Sequence, residues 1–438
     1  MEQYLFLYLA FMLLVGLLST RLMKRIRMPN VTGYIITGIL IGPFVFGLLF
    51  NGFDFLSANN PDTAPIFYYV KRISWVSTVA LGFIAFSIGS SFKISTLKQV
   101  GTRVIVITVM EALGGSLFVL IALIGAHFLF PDLLSLPLAL TLGAIAAATA
   151  PAATLMVIKQ YHANGPVVRT LLPVVALDDA AALILFAILF QIAKTIALGG
   201  GIDLYVMLAK PLLEILISLG VGAVLGFIAS LACRFFMSRT NRLIWAVVVI
   251  FGAIGIYYLF RQPFMGGFEL SSLLTCMMAG AIFANFGHDS GKTFEFMDRF
   301  TAPIYMAFFI LSGASLDLTV FASKSGLYVV LIALIYVVFR VGGKYLGAFT
   351  GAKITHAEPV VQKYLGLTLV PQAGVAIGLA TTAGNLFGEH PDTAQAGVMV
   401  VAIILTSTLL YELTGPIITK TALLKAGEIP MEEKPAAN

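Results

Sequence analysis

The stretch "VVALDDAAALILFAI", residues 174–188, sets two adjacent aspartates, Asp178 and Asp179, inside an otherwise apolar run. A run of this kind, continued on both sides, is long enough to cross a ~30 Å hydrocarbon layer as a helix. Backbone polar groups must be satisfied internally in lipid, so the segment reads as a helix and not a strand. A charge at the bilayer centre costs roughly 2.5–3.5 kcal/mol on insertion scales. Two carboxylates therefore have to face a partner or a watery cavity. Neighbouring helical residues point about 100° apart, so the two acids can meet different neighbours.

The rest of the chain supports that reading. Of its 438 residues 59% are hydrophobic and 11% charged, against about 25% charged in a soluble domain. Apolar runs recur from end to end and predict helices at roughly 3–24, 30–50, 70–91, 102–129, 136–160, 167–197, 205–236, 241–260, 268–287, 300–318, 323–351, 361–385 and 393–424. The first run has Glu2 before it and Arg21, Lys24, Arg25 and Arg27 behind it, with no cleavage motif, so it is read as a retained helix. With the N-terminus outside, the inner loops and tail hold 19 of the 27 Lys and Arg residues and the outer loops six. That bias predicts an outside N-terminus and a cytoplasmic C-terminus. The net charge of +6 sits in short loops beside helices and points to no nucleic acid. Cys233 and Cys276 lie in apolar runs and suggest neither a disulfide framework nor a zinc site.

The chain also resembles itself. "GFIAFSIGSSFKISTLKQVG" at 82–101 matches "MAFFILSGASLDLTVFASKSG" at 306–326, and "VVALDDAAALILFAI" matches the opening of "VVAIILTSTLLYELTGPI" at 400–417. A weaker echo links "GYIITGILIGP" at 33–43 to "SSLLTCMMAGAIFANF" at 271–286. These pairs predict two inverted six-helix repeats, a common plan among secondary transporters. Ile404 and Leu405 stand where the second repeat would carry the aspartates, so the acids belong to one half. Residues 1–424 form the expected membrane domain, and 425–438 a short disordered cytoplasmic tail.

Three further features carry chemistry. Arg340 and Lys344, in "YVVFRVGGKYLGAF", share a helix face at i and i+4. Arginine does not deprotonate, whereas a buried lysine can lose its proton. Lys344 therefore suits competition with a substrate cation, and Arg340 a permanent pair with Glu111, the acid placed well inside the fourth helix. "AATAPAATLMVI" at 147–158 has Pro151 in mid-helix between Thr149 and Thr154, and "LVPQAGVAIGLATTAG" at 369–384 combines Pro371, Gln372, Gly374 and Gly378. Proline breaks the hydrogen-bond ladder, and the freed carbonyls and half-helix ends can hold an ion. The breaks occupy matching places in the two repeats, helices 5 and 12.

"ALDDAA", "TAPA", "FFILSGASLDL" and "GKYLG" together resemble the monovalent cation/proton antiporters, specifically their second family, which contains bacterial Na+/H+ exchangers and K+-efflux antiporters. The resemblance covers nearly the whole chain. It implies a homodimer of thirteen-helix protomers in a bacterial inner membrane, with crossing discontinuous helices 5 and 12. Core-domain helices would fall at about 70–198 and 300–424, and dimerisation-domain helices at about 1–50 and 205–287. It implies that Asp179 is the main ion- and proton-binding carboxylate and that Asp178 pairs with Lys344. Na+ would be held by Asp179, Asp178 and Thr149, with unwound backbone completing its shell.

K+-efflux members often carry Gln-Asp and append a nucleotide-sensing domain. The Asp-Asp pair and the absence of such a domain favour Na+, with Li+, over K+ as the ion exchanged for H+, and no cofactor is implied. A Na+-coupled organic-solute symporter is the alternative from another class. An intramembrane aspartyl protease would need a Gly-x-Gly-Asp context, and a K+ channel a filter such as TVGYG; neither is present.

Overall fold

A computed structural model describes residues 5–26, 30–45, 70–129, 134–150, 154, 157–158, 161–197, 210–236, 238–260, 270–316 and 326–429. Those residues are helical with short connections. The elements are α1 (Leu5–Ile26), α2 (Asn30–Ile41), α3 (Trp75–Gly89), α4 (Ile94–Leu129), α5 (Leu136–Ile145), α6 (Pro166–Ala197), α7 (Lys210–Phe235), α8 (Arg239–Phe260), α9 (Ser272–Phe286), α10 (Ser290–Ala314), α11 (Gly326–Ile354), α12 (Pro359–Thr368), α13 (Gly374–Gly388) and α14 (Ala394–Lys425). Each expected membrane segment overlaps at least one of these, but the second, expected to run from 30 to 50, ends as helix at Ile41 and passes into a turn at 42–45. The twelfth is split into α12 and α13. The fifth stops at Ile145 and resumes as helix at Thr154 and again at Val157–Ile158.

Local chemistry explains several starts and stops. Ser135 and Ser271 accept hydrogen bonds from the amides of Leu138 and Leu274, capping α5 and α9. Pro359 opens α12, where its missing N–H costs nothing. Within α4, Gly101 adopts φ +76°, which separates a short leading stretch from the membrane helix.

Glycines set the packing. A Cβ on Gly280 of α9 would overlap the Phe86 carbonyl of α3, and one on Gly89 of α3 would overlap the Met277 carbonyl of α9. The same relation recurs between α2 and α10, with Gly38 against the Ile310 carbonyl and Gly313 against the Ile35 carbonyl. Gly89 and Gly313 are the eighth residues of the two matching segments quoted above, and Phe86 and Ile310 the fifth. The inverted-repeat layout thus appears as one contact made twice. These crossings attach α3 and α10 closely to α9 and α2, the helices that the sequence reading assigned to the other domain. Another crossing joins the repeat mates α4 and α11, where Gly114 faces the Gly343 carbonyl and Gly343 the Gly114 carbonyl.

The chain end differs from expectation. Residues 426–429 are not a loose tail. Gly427, at φ +73°, stops α14, and the amides of Gly427 and Glu428 return to the carbonyls of Leu424 and Leu423. Glu428 then accepts from the amides of Val167 (2.6 Å) and Val168 (2.9 Å) at the start of α6. Ile429 packs into the apolar cluster of Val167, Val168 and Leu171.

Candidate functional site

The close approach of α4 and α11 brings Glu111 level with Lys344. Lys344 Nζ donates to Glu111 Oε2 at 2.6 Å and to Thr149 Oγ1 at 2.7 Å, and lies 3.3 Å from Asp178 Oδ2. Lys344, Glu111 and Asp178 are fully buried. The expected Asp178–Lys344 pair is present. The expected Glu111–Arg340 bridge is not, because Glu111 spends its contact on Lys344.

Arg340, one turn away, binds no acid among the described residues. Its Nε donates to the Ala146 carbonyl (2.9 Å), Nη1 to Val370 (2.7 Å) and Nη2 to Ala148 (2.6 Å). Its guanidinium lies 4.7 Å from the centre of the Tyr411 ring, a cation–π contact. The two helix breaks cross here. The Ala150 amide donates to the Pro371 carbonyl (2.8 Å), and the Thr154 hydroxyl to the Thr368 carbonyl (3.0 Å). Gln372 Nε2 donates to the Ile145 carbonyl, and Tyr336 donates to Gln372 Oε1, each at 3.0 Å.

The carbonyls freed by unwinding are therefore largely engaged by Arg340, Gln372 and Ala150. Oxygens available to a cation come first from side chains. Asp179 supplies one of them: its Oδ1 is buried and has no hydrogen-bond partner among the described residues, and the same holds for Glu111 Oε1. One orphan oxygen lies on Glu111, which bonds Lys344, and the other on Asp179, the chain neighbour of Asp178, and both fit the demand of a hard monovalent cation for oxygen ligands.

Of the residues singled out by sequence, Asp178, Thr149, Lys344 and Glu111 meet directly, and Asp179 adjoins them. Arg340, Pro371 and Gln372 form the crossing. Pro151 lies outside the described residues. Gly374 opens α13, and a Cβ there would make only ordinary contact with Phe309. Tyr336 and Tyr411 were missed. Their signal was weak: one tyrosine a turn before Arg340 in α11, the other in the partner helix.

Comparison with known proteins follows the same lines. Over 426 residues the chain is 25% identical to the Na(+)/H(+) antiporter NhaS4 of Synechocystis sp., covering 93% of each. Two structures of the sodium proton antiporter MjNhaP1 from Methanocaldococcus jannaschii share the fold. The one at pH 8 gives a TM-score of 0.71 at 19% identity, covering 97% of this chain and 99% of that one. The other, from electron microscopy, gives 0.66 at 20% identity, covering 98% of each. The family profile described as "Sodium/hydrogen exchanger, transmembrane" matches residues 9–421, and the chain belongs to that family.

Proposed function

We propose that this chain is a secondary active antiporter that exchanges Na+, and also Li+, for H+ by alternating access. The observation that carries the reading is the position of Lys344. Four oxygens from three residues, Glu111, Thr149 and both of Asp178's, gather around its Nζ within 3.4 Å. This is a cation site occupied by the protein's own ammonium. An incoming Na+ takes the Thr149 and Asp178 oxygens from Lys344 and adds Asp179. Protons compete for the same carboxylates. Either ligand neutralises charge that would otherwise cross an apolar barrier at high cost, and only such a difference between states can bias the motion.

The moving unit in this proposal is α4–α6 with α11–α14. Arg340 and Lys344 tie α4, α5, α6, α11 and the α12–α13 break together. The glycine crossings hold α3 on α9 and α10 on α2, so we assign α3 and α10 to the static scaffold, which revises the division at 70 and 300 expected from sequence. Gly101, left-handed and with open space where a Cβ would stand, supplies one pivot between the two bodies. The Asp-Asp pair with lysine supports placement in the second antiporter family. A homodimer in a bacterial inner membrane, N-terminus outside, completes the proposal.

The test is exchange in liposomes carrying a proton gradient and an internal pH dye. Na+, Li+, K+ and choline are added to wild type and to Asp179→Asn. Na+ and Li+ should dissipate the gradient in wild type only. Undiminished exchange by the variant would overturn the role of Asp179. A response to K+ alone would make the protein a K+/H+ antiporter, and silence to all cations would favour the solute symporter.

A further inference from the structure

We propose that a pocket between α11, α12 and α14 binds the phosphodiester headgroup of an anionic membrane phospholipid. It is an open depression lined by Tyr345, Lys363, Tyr364, Leu367 and Lys425. Two lysines and two tyrosines are among its lining residues, and no acidic residue among the described ones is. Lys363 and Lys425 are exposed at the second turn of α12 and the last turn of α14. The nearby acid Glu428 has both carboxylate oxygens committed to the amides of α6.

The surroundings distinguish a lipid from a soluble anion. Leu346 on α11 and Leu424 on α14, beside the pocket residues Tyr345 and Lys425, are 43% and 45% exposed. Ile417, about two turns before Leu424 on α14, is 66% exposed. Exposed leucines and isoleucines of a membrane helix face acyl chains, so the mouth lies where the apolar belt gives way to charged groups. Basic pockets between membrane helices on the cytoplasmic side are suited to anionic headgroups, and this is the face that the loop charges assign to the cytoplasm. Lys363 lies with its Nζ 5.3 Å from the centre of the Tyr364 ring, a cation–π contact between two lining residues. The two lysines can take the phosphate oxygens, and the tyrosine hydroxyls the ester oxygens below them.

The test measures thermal unfolding of the full chain in a neutral detergent with added phosphatidylglycerol, phosphatidylcholine of the same acyl chains, or inorganic phosphate. Three variants accompany wild type: Lys363→Gln/Lys425→Gln, the charge-keeping Lys363→Arg/Lys425→Arg, and Lys292→Gln/Lys353→Gln elsewhere on the same face. Native mass spectrometry counts retained phosphatidylglycerol. We expect phosphatidylglycerol alone to raise the melting temperature of wild type by several degrees. The glutamine pair at the pocket should lose that rise and the retained lipid, while the arginine pair and the distant pair keep both. Equal loss in the distant pair, or full retention in the pocket pair, overturns the proposal. Equal stabilisation by phosphate also overturns it, because the site would then serve a free anion. Lipid counts in the arginine pair keep the test decisive if the glutamine pair folds poorly.

Discussion

Lys344 and Glu111 are 233 positions apart in the chain, yet their side chains meet at 2.6 Å with neither reached by solvent. Removing one member of a buried pair costs about 3–5 kcal/mol, because the other charge is left uncompensated. Lys344→Met should therefore lower thermal stability strongly, since it strands both Glu111 and Asp178. Glu111→Gln should cost less, and the two changes combined should cost less than their sum. A thermal-unfolding double-mutant cycle checks this; strict additivity would mean that the pair does not interact.

Arg340 serves the backbone. Arg340→Gln leaves the carbonyls of Ala146, Ala148 and Val370 short of donors, and each unsatisfied buried group costs about 1–3 kcal/mol. Arg340→Lys should recover little, since an ammonium cannot reproduce the planar fork. Tyr411→Phe, which keeps the ring over the guanidinium and gives up the 3.4 Å hydroxyl bond to the Val337 carbonyl, should cost only about 1 kcal/mol. Unfolding in detergent, read by intrinsic fluorescence, ranks the three.

The glycine crossings predict opposite signs for one chemical change. Gly280→Ala forces a Cβ against the Phe86 carbonyl, so α3 and α9 must separate and the protein should be destabilised by more than about 1 kcal/mol. At Gly220 of α7 nothing lies within 4 Å, so Gly220→Ala should stabilise by about 0.5–1 kcal/mol through helix propensity. Melting temperatures of the two variants decide it.

Asp289, between α9 and α10, is bonded by Arg242 at 3.0 Å, and this holds its carboxyl below the ordinary 3.8. A depressed folded value stabilises at pH above the unfolded value, and the benefit is lost as pH falls through the folded one. Asp289→Asn should thus lower the melting temperature at neutral pH, with the difference from wild type closing on acidification below 3.8. A difference independent of pH would remove the electrostatic explanation.

Glu428 caps the helix that carries the two aspartates. Glu428→Ala should cost about 1 kcal/mol, as loss of a helix cap generally does. Amide exchange should quicken at Val167 and Val168, whose N–H groups lose their acceptor. Exchange followed by mass spectrometry tests this directly.

Much of this was legible in the sequence, for physical reasons. Long apolar runs leave few alternatives to helices in lipid, and Pro371 marked its break because proline cannot keep the ladder. Asp178, Asp179 and Lys344 stood out because charge is rare and costly there. The choice of partner for Glu111 was not legible. Arg340 and Lys344 share a face one turn apart, and only the depth at which Gly114 meets Gly343 decides which of them Glu111 reaches. The capping role of Glu428 was hidden as well, since charged residues after a long helix look like a tail. Gly427 was the available sign, a glycine placed to turn the chain.

The paired glycine crossings have a consequence for ancestry. Each joins one repeat to the other: Gly38 of the first meets Ile310 of the second, and Gly280 of the second meets Phe86 of the first. Residue i touching j while the counterpart of j touches the counterpart of i is the signature of an isologous interface between identical subunits. Two antiparallel copies of one six-helix unit would form both contacts with a single set of glycines. The present chain keeps, folded within itself, the seam of such a dimer.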